Sequence, residues 1–95
     1  MAARTNLKAK VRAVLVRRLR TAFGNGAKVS VQSGFHWDSI HIVVTSSRFS
    51  RMPMMERAKL VGGWLDEELK PAESARVTAL LPLTPSQERR LLGTG

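Results

Sequence analysis

Apolar residues recur along the first quarter of the chain at helical spacing. Leu7, Val11, Val14, Leu15, Leu19 and Ala22 fill an arc of roughly 140°, the width of a core-facing stripe. The spacing predicts a helix from Asn6 to about Phe23, capped by Thr5 or Asn6 because their side chains can accept the first free amides. Gly24-Asn25-Gly26 stops it, as glycine and asparagine do after a last turn. Lys10, Arg12, Arg17 and Arg20 fall outside the arc and predict a basic outer face. Arg18 falls inside it, so its stem is expected on apolar surface with its head in water.

The period then changes to two. Ala27–Gln32 alternates Val29 and Val31 with Lys28, Ser30 and Gln32; Ile40–Ser46 alternates Ile40, Ile42 and Val44 with His41, Val43 and Thr45. Both read as strands, joined by a hairpin loop over Ser33–Ser39. A polar loop, Ser46–Met52, leads to Pro53, which suits a helix start. Met54, Ala58, Val61, Trp64, Leu65 and Leu69 are expected to line the buried face of this second long helix, with Glu56, Lys59, Gly63 and Glu67 opposite. Gly62-Gly63 costs it about 1 kcal/mol per glycine, and Gly62 suggests the close approach of another backbone. Asp66-Glu67-Glu68 opposes the helix dipole and reads as a solvated face. Lys70-Pro71 ends the helix. Val77–Leu83 is a third, largely apolar strand. Thr84-Pro85-Ser86-Gln87 is a capping box opening a terminal helix, Pro85–Leu92.

The predicted order is α-β-β-α-β-α, an α+β fold. Strands one and two form an antiparallel hairpin. The long connection makes strand three parallel to one of them. Both long helices cover one face of this three-stranded mixed sheet, since neither can bury its stripe alone.

Length and composition narrow the function. Ninety-five residues allow one domain, 1–95, with 1–5 and 92–95 as flexible ends. There is no cysteine, which excludes disulfides, thiolate ligands and a cysteine nucleophile and favours the cytoplasm. No segment approaches the ~20 apolar residues of a membrane span, and Met1–Lys10 lacks the apolar stretch of a secretory signal. The net charge is +9, from 16 basic and 7 acidic residues. Eight of the cations precede the first acid, Asp38. A domain this basic is expected to meet a polyanion.

No nucleophile elbow, phosphate loop or dinucleotide fingerprint is visible, so binding rather than catalysis is expected. His36, Asp38 and His41 are the available metal-ligand types, at irregular spacing that reads first as surface histidines. His36 alone could serve as one ligand shared with another protein. Trp37 is either a hairpin packing residue or a partner's anchor.

From Ile40 the chain reads IHIVVTSSRFSRMPMMERAKLVGGWLDEEL, then VTALLPLTP. This resembles the BolA-like family, which shares the predicted element order and is similar in fold to type II KH domains. Phe49, Arg57, Lys59, Glu67-Glu68-Leu69 and Thr84-Pro85 match the family pattern, over about residues 27–90. Arg51 stands where the family has a glycine, and Ala58 where it has a histidine. Arg76 or Thr78 stands where it has a histidine at the start of the last strand. That histidine, with a loop ligand corresponding to His36, serves an iron–sulfur cluster shared with a monothiol glutaredoxin.

Two readings follow. In the first, the protein is a nucleic-acid-binding regulator: the resemblance implies DNA-binding activity. The residues offer Arg48, Arg51, Arg57 and Lys59 near a helix start, together with Arg76 and the helix face Lys10, Arg12, Arg17 and Arg20. No stacking aromatics of the RRM kind are present, so contacts would go mostly to phosphate. In the second, implied by the resemblance, it is a glutaredoxin partner in iron–sulfur handling, with His36 as the metal ligand. A ribosome-associated factor of KH type shares the topology. A monomer or weak homodimer, without a membrane partner, is expected.

Overall fold

The computed structural model describes residues 6–35 and 38–91. The predicted flexible ends, and His36 and Trp37 with the roles proposed for them, lie outside the described residues. The first helix, α1, spans Leu7–Phe23. Asn6 caps it by accepting the Ala9 N–H at 3.2 Å. Gly24, at φ 78°, ends it in a conformation that only glycine adopts without strain. Leu7, Val11, Val14, Leu15 and Leu19 are buried, the stripe that the period predicted.

Strands β1 (Lys28–Ser33) and β2 (Ile40–Thr45) pair antiparallel, with Val29 opposite Val44 and Val31 opposite Ile42. β3 (Val77–Leu83) pairs parallel to β2, giving the order β1-β2-β3 with a bulge at Ile40/His41. Ile40, Ile42 and Val44 face the helices and are at most 2% exposed. Alternation makes one side of the strand fully apolar, and both long helices pack there.

The segment between β2 and the second helix is not a plain loop. Ser47–Arg51 forms a 3-10 helix, whose start Ser46 caps by accepting the Arg48 N–H at 3.1 Å. The turn drives Phe49 into the core, where it is fully buried. Phe23 meets Phe49 edge-on at 5.6 Å and Trp64 at 6.4 Å.

α2 runs over Met54–Glu68; Val61, Trp64, Leu65 and Leu69 are buried as predicted, and the helix departs from the predicted face at its start. Met54 is 44% exposed and Ala58 is exposed, whereas Arg57 is buried with Val61, Trp64, Leu65 and Leu69. Positions 57, 61, 64 and 65 form a helical stripe in their own right; its first member is simply charged. Gly62 does not meet another backbone: a Cβ there would lie 4.0 Å from the Leu80 Cδ2. After Lys70 a single turn, α3 (Pro71–Ser74), precedes β3.

The last helix, α4 (Pro85–Leu91), follows β3 directly. Its capping box is formed: the Gln87 N–H donates to Thr84 Oγ1 at 3.2 Å, and the Thr84 N–H donates to Gln87 Oε1 at 3.0 Å. α4 sits over one end of the sheet face away from α1 and α2, where Lys28 pairs with its Glu88 at 3.1 Å.

Candidate functional site

The cations divide sharply according to whether a carboxylate reaches them. On α1, Arg18 pairs with Glu67 at 2.8 Å and with Glu68 at 2.6 Å, and Arg17 also binds Glu68. The acidic triplet is therefore not simply a solvated face: two of its members bind α1, which offsets their unfavourable place at the end of α2. The two guanidinium groups, Arg17 first, hold the Glu68 carboxyl down to about 2 from its ordinary 4.5. Lys10 pairs with Glu73 at 2.8 Å. That carboxylate also accepts the Lys70 N–H at 2.9 Å, and its pKa is lowered, by Lys10 first. Arg12 donates to the Val29 carbonyl at 2.8 Å, tying α1 to the edge of β1.

Of the predicted helix face, then, Lys10 and Arg17 are ion-paired and Arg12 is held by backbone. Arg20 stays exposed, with no ion pair among the described residues. Arg76 is committed as well. It donates to the Asp38 carbonyl at 2.9 Å and pairs with the Asp38 carboxylate at 2.9 Å, fastening the hairpin loop to the start of β3.

Arg57 departs furthest from expectation. Its residue exposure is 6%. Its Nε donates to the Met52 carbonyl at 2.8 Å, and its Nη1 to the Pro82 carbonyl at 3.1 Å and to Gln87 Oε1 at 2.7 Å. The guanidinium lies 5.7 Å from the Phe49 ring centroid. One side chain thus ties the 3-10 turn, α2, β3 and α4 together, with its Nε and Nη1 donors occupied internally. At this exposure little of its charge is open to a ligand.

Arg48 and Arg51 are left in the opposite condition. Both are exposed, one turn apart on the same face of the 3-10 helix, and neither forms an ion pair among the described residues. They line one groove with Ser47 and Ser50 from the same turn and Ala22 and Phe23 from the end of α1. α2 begins three residues after Arg51, and no side chain caps its start. Its first-turn amides add positive potential beside the groove. Lys59 is exposed further along α2. Of the predicted loop–helix cluster, Arg48 and Arg51 meet in one place, Lys59 lies beyond them, and Arg57 turns inward. The hydroxyls of Ser47 and Ser50 escaped the sequence reading. Their signal is the Ser-Arg pair repeated at Ser47-Arg48 and Ser50-Arg51.

No group of three or more potential metal ligands comes together among the described residues. His41 meets the ring of Phe35 edge-on at 5.6 Å. At the start of β3, where the resemblance expects a histidine, Arg76 is a permanent cation already bound to Asp38, and Thr78 offers a hard hydroxyl. Neither fits an iron–sulfur ligand.

No family model matches the chain, and no curated protein does. Among solved structures it is similar to the solution structure of BolA1 protein from Mus musculus. The two are 30% identical over 97% of this chain and 76% of that one, with a TM-score of 0.53. It is also similar to the crystal structure of a bol-like protein from Babesia bovis, 21% identical over 85% of this chain and 92% of that one, with a TM-score of 0.49.

Proposed function

The chain belongs to the BolA-like family, and from that premise we propose that it is a nucleic-acid-binding regulator that grips phosphate at the Arg48–Arg51 groove rather than an enzyme. The observation that carries this reading is the distribution of carboxylates. Five of the seven acids, Asp38, Glu67, Glu68, Glu73 and Glu88, are engaged by Arg76, Arg18, Arg17, Lys10 and Lys28. None pairs with Arg48 or Arg51.

Two guanidinium groups and two hydroxyls line the groove without a carboxylate among them, beside a helix start whose one first-turn acid is Glu56, a donor-rich surface suited to a phosphodiester. Arg20 and Lys59, exposed elsewhere on α1 and α2, extend the field without being tied to one contact. Phosphate contacts position a protein without reading bases, so the proposed binding is weakly sequence-dependent.

The test is fluorescence anisotropy of a labelled duplex and of the corresponding single strand over a salt series. Binding at low salt should weaken steeply as salt rises, because each neutralised phosphate releases counterions. Absence of binding to both forms at low salt would remove this function.

A further inference from the structure

We propose that the outer edge of β3 docks a short extended peptide of a partner protein, one that carries an apolar residue and, two positions along, a lysine or arginine. The site is separate from the Arg48–Arg51 groove, and the two proposals stand or fall independently.

The sheet has two edges, and they are treated differently. On β1 the Val29 carbonyl is taken by Arg12. On β3 the Ser46 N–H donates to the Leu83 carbonyl at 3.0 Å, and Thr45 is the register partner of Leu83. In a parallel ladder, alternate residues turn both backbone groups to the same neighbour. Leu83, Leu81 and Ala79 therefore face β2, and Pro82 and Leu80 face outward. The outward Pro82 carbonyl is taken by Arg57, and proline has no N–H to offer. Leu80 keeps an outward N–H and C=O that nothing among the described residues engages. The edge is thus blunted by Pro82 on one side and by the bulge on the other, which guards against open-ended pairing and leaves a window for a short strand.

Beside that window lies a slot between helix and sheet. Gly62, Leu65 and Asp66 of α2, Ser74 of α3, and Val77 and Leu80 of β3 line about 200 Å³. An apolar cavity of about 150 Å³ holds a benzene ring, so the slot has room for one large apolar side chain. A strand added to β3 would point alternate side chains to the face where α2 lies, and the one beside Leu80 meets the slot. Gly62 is what keeps it open. A glycine inside a helix costs about 1 kcal/mol relative to alanine. No backbone approaches it to account for that cost, and the space over it ends at Leu80.

The charge at the rim selects the rest of the peptide. Asp66 forms no ion pair among the described residues, unlike its neighbours Glu67 and Glu68; it accepts a hydrogen bond from the Ser74 hydroxyl at 3.3 Å. It lies one helical turn from Gly62, about 6 Å along α2. Same-face residues of a strand are about 6.6–6.8 Å apart. An apolar side chain at Gly62 therefore places the residue two positions on within reach of Asp66, where a cation is favoured and a phosphate is repelled.

The test uses the full chain, isotopically labelled, and the synthetic peptide Ac-Thr-Thr-Leu-Thr-Lys-Thr-Thr-amide, followed by amide resonances. Binding in about the 0.1–1 mM range is expected for so small a contact. Shifts should centre on Leu80, Thr78, Gly62 and Asp66, with slowed exchange of the Leu80 amide proton. Gly62→Leu fills the slot, and Asp66→Asn removes the charge; each should weaken binding about fivefold or more, as should lysine-to-glutamate exchange in the peptide. Circular dichroism and thermal melts establish that both variants are folded. The proposal is overturned if the peptide at several-fold above 1 mM leaves Leu80 and Gly62 unmoved, if Gly62→Leu binds as well as the parent, or if a labelled oligonucleotide moves these same resonances.

Discussion

Arg17 and Arg18 on α1 and Arg48 and Arg51 on the 3-10 turn are alike in chemistry and opposite in circumstance. The first pair faces the end of α2 and meets Glu67 and Glu68. The second pair faces a groove lined by its own serines and the end of α1, with no carboxylate paired to it. The contrast teaches that a net charge of +9 is not a map of the binding surface. Charge held in a helix–helix contact helps to order the fold, whereas charge on a turn with no acid opposite remains available to a ligand. Arg57 is a third case, a cation used as a buried hydrogen-bond hub.

The comparison is broken most forcefully at the hub. Arg57→Leu leaves the Met52 and Pro82 carbonyls without their donor and uncouples Gln87. Destabilisation of about 2–4 kcal/mol is expected in urea unfolding, a large share of the margin of a chain this small. A loss below about 1 kcal/mol would return Arg57 to the surface set.

Next in size is the groove. Arg48→Ala with Arg51→Ala should reduce the dependence of log affinity on log salt by about 2 for duplex DNA, while the thermal midpoint stays near that of the parent. The α1 pair sharpens the contrast from the other side. Arg17→Ala with Arg18→Ala should lower the thermal midpoint modestly, since such partly exposed pairs are weak. It should change the salt dependence less than the groove variant does. Equal changes in the two double variants would mean that the division of the cations has no functional content.

The smallest effect is in acid. The Glu68 carboxyl sits at about 2 in the fold against an ordinary 4.5, so its stabilising effect is complete above pH 4.5 and is lost as pH falls toward 2. Glu68→Gln should therefore flatten the fall of the thermal midpoint between pH 4.5 and pH 2. An unchanged acid limb would show that Arg17 and Arg18 do not hold the carboxylate in solution.

Much of the architecture was legible before any coordinates. The α1 stripe, the alternation of β2, the parallel return of β3 and the Thr84–Gln87 capping box are local or periodic signals, and each appears where its residues placed it. The candidate site was legible only in part. By its charge Arg57 reads as a surface cation, although its spacing to Val61 continues the buried stripe. Phe49 gave no periodic signal, since a 3-10 turn is too short to have one. The pairing of Arg17 and Arg18 with Glu67 and Glu68 depends on contacts about fifty residues apart in sequence, which no local pattern encodes. Which cations remained for a ligand therefore followed from tertiary packing.

The most direct measurement is a titration of the isotopically labelled chain with a short DNA duplex at low salt, read residue by residue from amide resonances. The account predicts that the largest shifts fall on Ser47, Arg48, Ser50, Arg51 and the end of α1 at Ala22 and Phe23, and fade as salt is raised. Shifts centred instead on the paired face of α1 around Arg17 and Arg18, or spread evenly over all basic residues, would contradict it.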